Sequence, residues 1–179
     1  MMKVLILLLL PLIGLFPSQL EEEKIVWNED RPLSWEDFRG VPNRADNFVA
    51  STNSGVSFSF SFKERDGIAT INYTVVSNFY PDLSWYRPER VTQYILEHEQ
   101  THFDISELHA RKLRKGLSQL PHDRNFKDRA EEIYNTLEAE RRAMQTQYDR
   151  ESDHSNIDEA EYKWRRFVAE QLALLDDWK

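Results

Sequence analysis

His98 and His102 stand four residues apart, with Glu99 directly after the first of them. On a helix, positions i and i+4 lie one above the other on one face, so two imidazoles placed there can reach a single ion. Glu99 is rotated about 100° from His98. It can sit beside such an ion without ligating it and take a proton from a water held there. This is the H-E-x-x-H arrangement of metallopeptidases, in which zinc acidifies a water and polarises a carbonyl. Without a metal, the same residues would be two hydrogen-bonded core histidines and a surface acid.

A catalytic zinc needs a third protein ligand. His109 shares the stripe but lies about 10 Å beyond His102 on a straight helix. Helical side chains also lean toward the N-terminus, so His109 reads as a packed or supporting residue. The longer H-E-x-x-H-x-x-G-x-x-H spacing is not met, because Ile105 and Leu108 hold its last Gly and His positions. His122, beside Pro121, falls toward the far end of the metal helix. His154 and many carboxylates remain, and a polar connection over Tyr148–His154 can return to the first helix. Asp149 there could orient a ligand imidazole or be a surface acid. Tyr148 could donate to an oxyanion or simply pack, while Trp35, Trp85 and Trp164 read as core.

The elements that must position these groups fall into two halves. Val56, Phe58, Phe60 and Phe62 alternate with serines, and Ala69, Ile71, Tyr73 and Val75 repeat the period after Asp66-Gly67, which predicts an antiparallel hairpin with one buried face. Ser34 and Asp37 bracket a short helical turn ending at Gly40. Beyond Pro88 only one Gly and one Pro occur, so long helices are expected. The first starts in the turn holding Pro88, carries Val91, Tyr94, Ile95, His98, His102, Ile105 and His109, and ends near Gly116. The second is expected from about Asp123 to Tyr148, and the third from near Asp158. The expected class is α+β, a small antiparallel sheet followed by a helical layer.

The chain has 179 residues, 40% hydrophobic, with a formal net charge of −8 and no cysteine. One domain with a real core fits that length. The acidic balance argues against nucleic acid and anionic membrane surfaces as partners, and runs such as Lys112-Leu113-Arg114-Lys115 read as solvated helix faces. Any metal must be held by His, Asp or Glu. Lys3 followed by the apolar run Val4–Phe16 fits a secretory signal over residues 1–20, too short for a spanning helix. Residues 21–179 are then one secreted or periplasmic domain, off the membrane once the signal is removed.

The stretch Leu96-Glu97-His98-Glu99-Gln100-Thr101-His102-Phe103-Asp104-Ile105 resembles the core motif of a family of bacterial secreted proteins of unknown function, predicted to be zinc-dependent peptidases. Leu33-Ser34-Trp35-Glu36-Asp37-Phe38-Arg39-Gly40, Ser84-Trp85, Tyr148-Asp149 with Ser152-Asp153-His154, and Trp164 agree with it. The resemblance implies a zincin-like fold, Zn2+ held by His98, His102 and His154, Glu99 as the catalytic base, and a protein or peptide substrate. Ser155 stands where glycine is common and Glu161 where glutamine is expected. The alternative expectation is a structural or interaction module in which zinc only clamps the helices.

Overall fold

The computed structural model describes residues 22–43, 48–66 and 68–179; the expected signal segment lies outside them. Strands β3 (Ser54–Arg65) and β4 (Ile68–Phe79) form the long hairpin, with Phe58 opposite Val75 and Phe60 opposite Tyr73. Arg65 pairs with Ile68, and Asp66 turns the chain with φ 53°. β1 (Ile25–Val26) adds to the far edge of β4, giving the order β1-β4-β3. A separate ribbon pairs β2 (Ala50–Ser51) with β5 (Trp85–Tyr86). Three helices follow: α1 (Gln93–Ser118), α2 (Phe126–Ser152) and α3 (Asp158–Ala173). The α+β expectation holds, with helices grouped after a small antiparallel sheet.

Helix α1 is central because the hairpin, α2 and α3 all pack against it. Ala110, Leu113 and Leu117 pack with Val56, Ile71 and Val75 of the hairpin and with Phe126 and Ala130 of α2. Leu96 and Phe103 meet Leu33, Phe38 and Phe79. Ile105 packs with Tyr148, Trp164 and Val168 from α2 and α3. Glycine is required at position 40, since a Cβ there would lie 2.8 Å from the Asp82 carbonyl oxygen and 2.9 Å from that of Ser84. Gly40 N–H donates to the Ser84 carbonyl at 2.8 Å, which ties the Leu33–Gly40 segment to the ribbon. Gln100 completes the tie by accepting from Leu33 N–H at 2.7 Å.

Four expectations are corrected. Pro88 and Val91 precede α1, whose N-cap is Thr92 with its Oγ1 accepting from Ile95 N–H. Helix α2 does not end at Tyr148 but continues to Ser152, so Asp149 is helical. The apolar hairpin face is not wholly covered: Val56 is buried, yet Phe62 near the tip is 39% exposed, because the strands extend past the helices. Arg114, expected on a solvated face, is half-buried, and its neighbour Arg111 is fully enclosed. Arg111 is 2% exposed and donates to Glu107, and Arg114 donates to Glu107 and to the Val75 and Trp178 carbonyls.

This packing predicts unequal costs along one aromatic set. Phe79→Ala, at a fully buried ring, should cost about 3–5 kcal/mol, whereas Phe62→Ala should stay within about 0.5 kcal/mol. Urea denaturation of both variants measures the difference, and equal losses would contradict the assigned layering.

Candidate metal centre

His98 and His102 project from the side of α1 that α2 and α3 cover. Their Nδ1 atoms face groups that can only accept. His98 Nδ1 lies 3.0 Å from Glu161 Oε2. His102 Nδ1 meets Gln145 Oε1, whose orientation follows from the Gln145 amide donating to the His102 carbonyl at 2.8 Å. Both rings therefore carry hydrogen on Nδ1 and direct Nε2 at each other, 3.2 Å apart. Asp149 Oδ1 completes the group at 2.9 Å from His102 Nε2 and 3.4 Å from His98 Nε2. Three acceptors converge with no donor among them. Such a cluster is stable only around a shared positive charge.

With protons alone to supply that charge, burial opposes it, but the hydrogen bonds to Asp149 and Glu161 outweigh burial and push His98 up to about 9. Burial likewise opposes ionised Asp149, and the hydrogen bonds from His102 and His98 hold it well below the usual carboxylate range. Two neutral imidazoles and a carboxylate, with donor atoms all within 4.8 Å of one another, are a donor set that suits zinc.

Glu99 is 4% exposed and its Oε2 has no hydrogen-bond partner. It lines the same cleft as His98, His102 and Asp149, a space of about 770 Å³ bounded on the opposite side by the segment around β2. Thr52 anchors that segment to α1 by donating to the Glu99 carbonyl at 3.2 Å.

The structure brings Asp149, rather than His154, together with the two helical histidines. His154 Nδ1 lies 3.6 Å from Asp149 Oδ1, on a side chain 43% exposed, and its ring packs on Phe48 at the cleft edge. Three consecutive non-glycine residues, Asp153, His154 and Ser155, hold positive φ of 47°, 51° and 69°, a conformation that glycine adopts at lower cost. Their turn is held by His154 N–H to the Asp149 carbonyl and Ile157 N–H to the Ser152 carbonyl, both 2.9 Å.

Tyr148 is a packing residue as well as a donor. It is fully buried against His98, and its hydroxyl is committed to Glu161 Oε1. Trp85 and Trp164 are buried, as expected of core. His122, in the turn before α2, meets Phe126 edge-on, outside the cleft lining. His109 is 1% exposed, donates from Nδ1 to the Ile105 carbonyl at 2.8 Å and leaves Nε2 without a partner.

Glu161 is the supporting residue that sequence reasoning did not assign. It is fully buried and takes hydrogen bonds from His98, Tyr148 and Arg165. Burial opposes its charge, but those donors, His98 first, hold its carboxyl below the ordinary value. For Asp149 the signal was the α2 stripe Arg141, Gln145, Asp149 at four-residue steps, hidden by ending the helix four residues early, just before Asp149.

Residues 37–155 match the family model described as "Bacterial protein of unknown function (DUF922)". No curated protein and no solved structure matches the chain. The matched segment contains His98, Glu99, His102, Asp149 and His154 and stops before Glu161.

Two expected outcomes follow from this geometry. Glu161→Ala should lower zinc affinity about 10–100-fold, with Glu161→Gln losing less because an amide oxygen still accepts from His98. Competition against a chromogenic chelator measures both, and wild-type affinity in Glu161→Ala would show that His98 needs no such anchor. The second outcome concerns His109, which burial pushes down to about 4 from an ordinary 6.5. The unfolded chain then binds this proton first, so the residue's contribution is full above about pH 6.5 and is lost as pH falls toward 4. The difference is roughly 3 kcal/mol. Denaturation midpoints at pH 7 and pH 4.5 should differ less in His109→Asn than in the wild type.

Proposed function

We propose that this chain, which belongs to the bacterial protein family of unknown function DUF922, is a zinc-dependent hydrolase, and specifically a peptidase, with His98, His102 and Asp149 as metal ligands. The observation that carries this reading is the convergence of two Nε2 lone pairs and a carboxylate oxygen beside the unpartnered Glu99 Oε2. Zinc bound there would act as a Lewis acid, polarising a carbonyl and making a water acidic near neutral pH.

The chain's own residues divide the remaining work. Glu161 and Gln145 hold the two imidazoles by Nδ1, so their Nε2 atoms need no reorganisation to receive the ion. Glu99 Oε2, buried and free of competing donors, is the base that accepts a proton from water and returns it to the leaving amine. His154, on the solvent side of Asp149, closes one edge of the site and can hydrogen-bond that carboxylate or a bound substrate. The open cleft beside Glu99 favours catalysis over a purely structural ion, which protein donors would enclose. A strand pair lying over a metal helix supports the zincin-like reading of the fold. Export rests on Lys3 and the Val4–Phe16 run.

Metal content and turnover test the proposal together. The wild type should hold one zinc per chain and cleave casein or a mixed peptide pool. Asp149→Asn and His98→Ala should lose the ion, while His154→Ala keeps it. Glu99→Gln should retain zinc and lose about 10²–10⁴ in rate. If His154→Ala empties the site while Asp149→Asn stays loaded, the ligand set is wrong. Undiminished turnover in Glu99→Gln would remove the catalytic reading.

A further inference from the structure

The protein as a whole is acidic, but its cleft is not. Apart from Glu99 and Asp149 at the metal centre, the charged side chains among the described lining residues, histidines aside, are all arginines: Arg90, Arg141 and Arg142. Two of them form a single unit on α2. Arg141 is 8% exposed and donates through Nε and Nη2 to the two oxygens of Glu138, both at 2.7 Å, with Nη1 3.4 Å from Ser106 Oγ. Arg142 also donates to Glu138, but only through Nε at 2.9 Å. One carboxylate thus serves two guanidiniums and leaves one positive charge over. That surplus lies with Arg142, whose side chain is 74% exposed and whose planar Nη pair meets no acceptor among the described residues, the geometry a carboxylate takes bidentately.

From this we infer that the cleft selects peptides carrying an acidic side chain, received by Arg142 with Arg141 and Glu138 holding it in place. The inference rests on the peptidase reading and names its substrate class. The helix also sets the distance. Arg142 lies seven residues before Asp149 on α2, about 10 Å along the axis. An extended peptide advances about 3.3 Å per residue, so the acid falls about three residues from the bond at the metal. The side of the bond is the direction in which α1 runs from His102 toward Ser106, because Ser106 is the α1 residue that Arg141 reaches.

The test separates selectivity from turnover. Zinc-loaded protein is given a mixed peptide library to low conversion, and the cleavage sites are sequenced by mass spectrometry. Glu and Asp should be enriched about three residues to one side of the cut, and the Glu-over-Gln ratio in kcat/KM for a matched peptide pair should fall toward one in Arg142→Gln. In parallel, zinc-loaded Glu99→Gln protein is titrated by fluorescence anisotropy with a labelled peptide containing Glu, and with its Gln counterpart. Tighter binding of the Glu peptide, roughly fivefold at low salt, shrinking with added salt and abolished by Arg142→Gln, supports the inference. Equal affinity for both peptides, or a preference that survives Arg142→Gln, overturns it. Selective binding with no cleavage of any peptide would instead defeat the peptidase reading and leave the acidic-ligand site standing.

Discussion

Where two imidazole rings point decides what this molecule can do. A histidine on α1 has two nitrogens to offer, and the choice is made by whatever holds the other one. Glu161 Oε2 and Gln145 Oε1 can only accept, so each takes an Nδ1–H and turns the opposite lone pair inward. Those anchors come from α3 and α2. The packing of three helices is thereby converted into the orientation of two small rings, and the buried pairs among Ile105, Tyr148, Trp164 and Val168 serve the site as much as the core.

The opposite wall is held by a different kind of constraint. Gly40 against Ser84, and Ser84 Oγ accepting from Asn53 N–H while donating to the Tyr80 carbonyl, lock three chain segments into one frame. Gln100, within the H-E-x-x-H stretch itself, reaches out to Leu33 and Asp104. The position between Glu99 and Thr101 is therefore not free to vary as a surface position would be. It joins α1 to the segment whose Leu33 and Phe38 pack with Phe79 and Phe103.

Much of this was legible in the chain. Alternation at Val56–Phe62 and Ala69–Val75 identified the hairpin, and the four-residue step from His98 to His102 placed both rings on one face. What could not be read was tertiary. The segment Asp149-Arg150-Glu151-Ser152 is polar enough to pass for a loop, yet it stays helical because Tyr148 and Ser152 are buried and Ser152 Oγ donates back to the Tyr148 carbonyl. That extra turn brings Asp149 round to the histidines and leaves His154 at the rim. Glu161 carries no local signature at all, since its importance depends on α3 docking beside His98. Phe62 looked like core because its period was right, and only the length of the helices decides how far along a strand the cover extends.

The left-handed turn at Asp153–Ser155 bears on the order in which the molecule assembles. Each of its three non-glycine residues is uphill by about 1 kcal/mol or more on its own, and the bonds that offset this use the carbonyls of Asp149 and Ser152. Those carbonyls are in place only once the last turn of α2 exists. The corner joining α2 to α3 therefore depends on the last turn of α2, and through it Glu161 is brought to His98. In synthesis order the two histidines come long before Glu161, so the orientation of the His98 ring is complete only with the final helix.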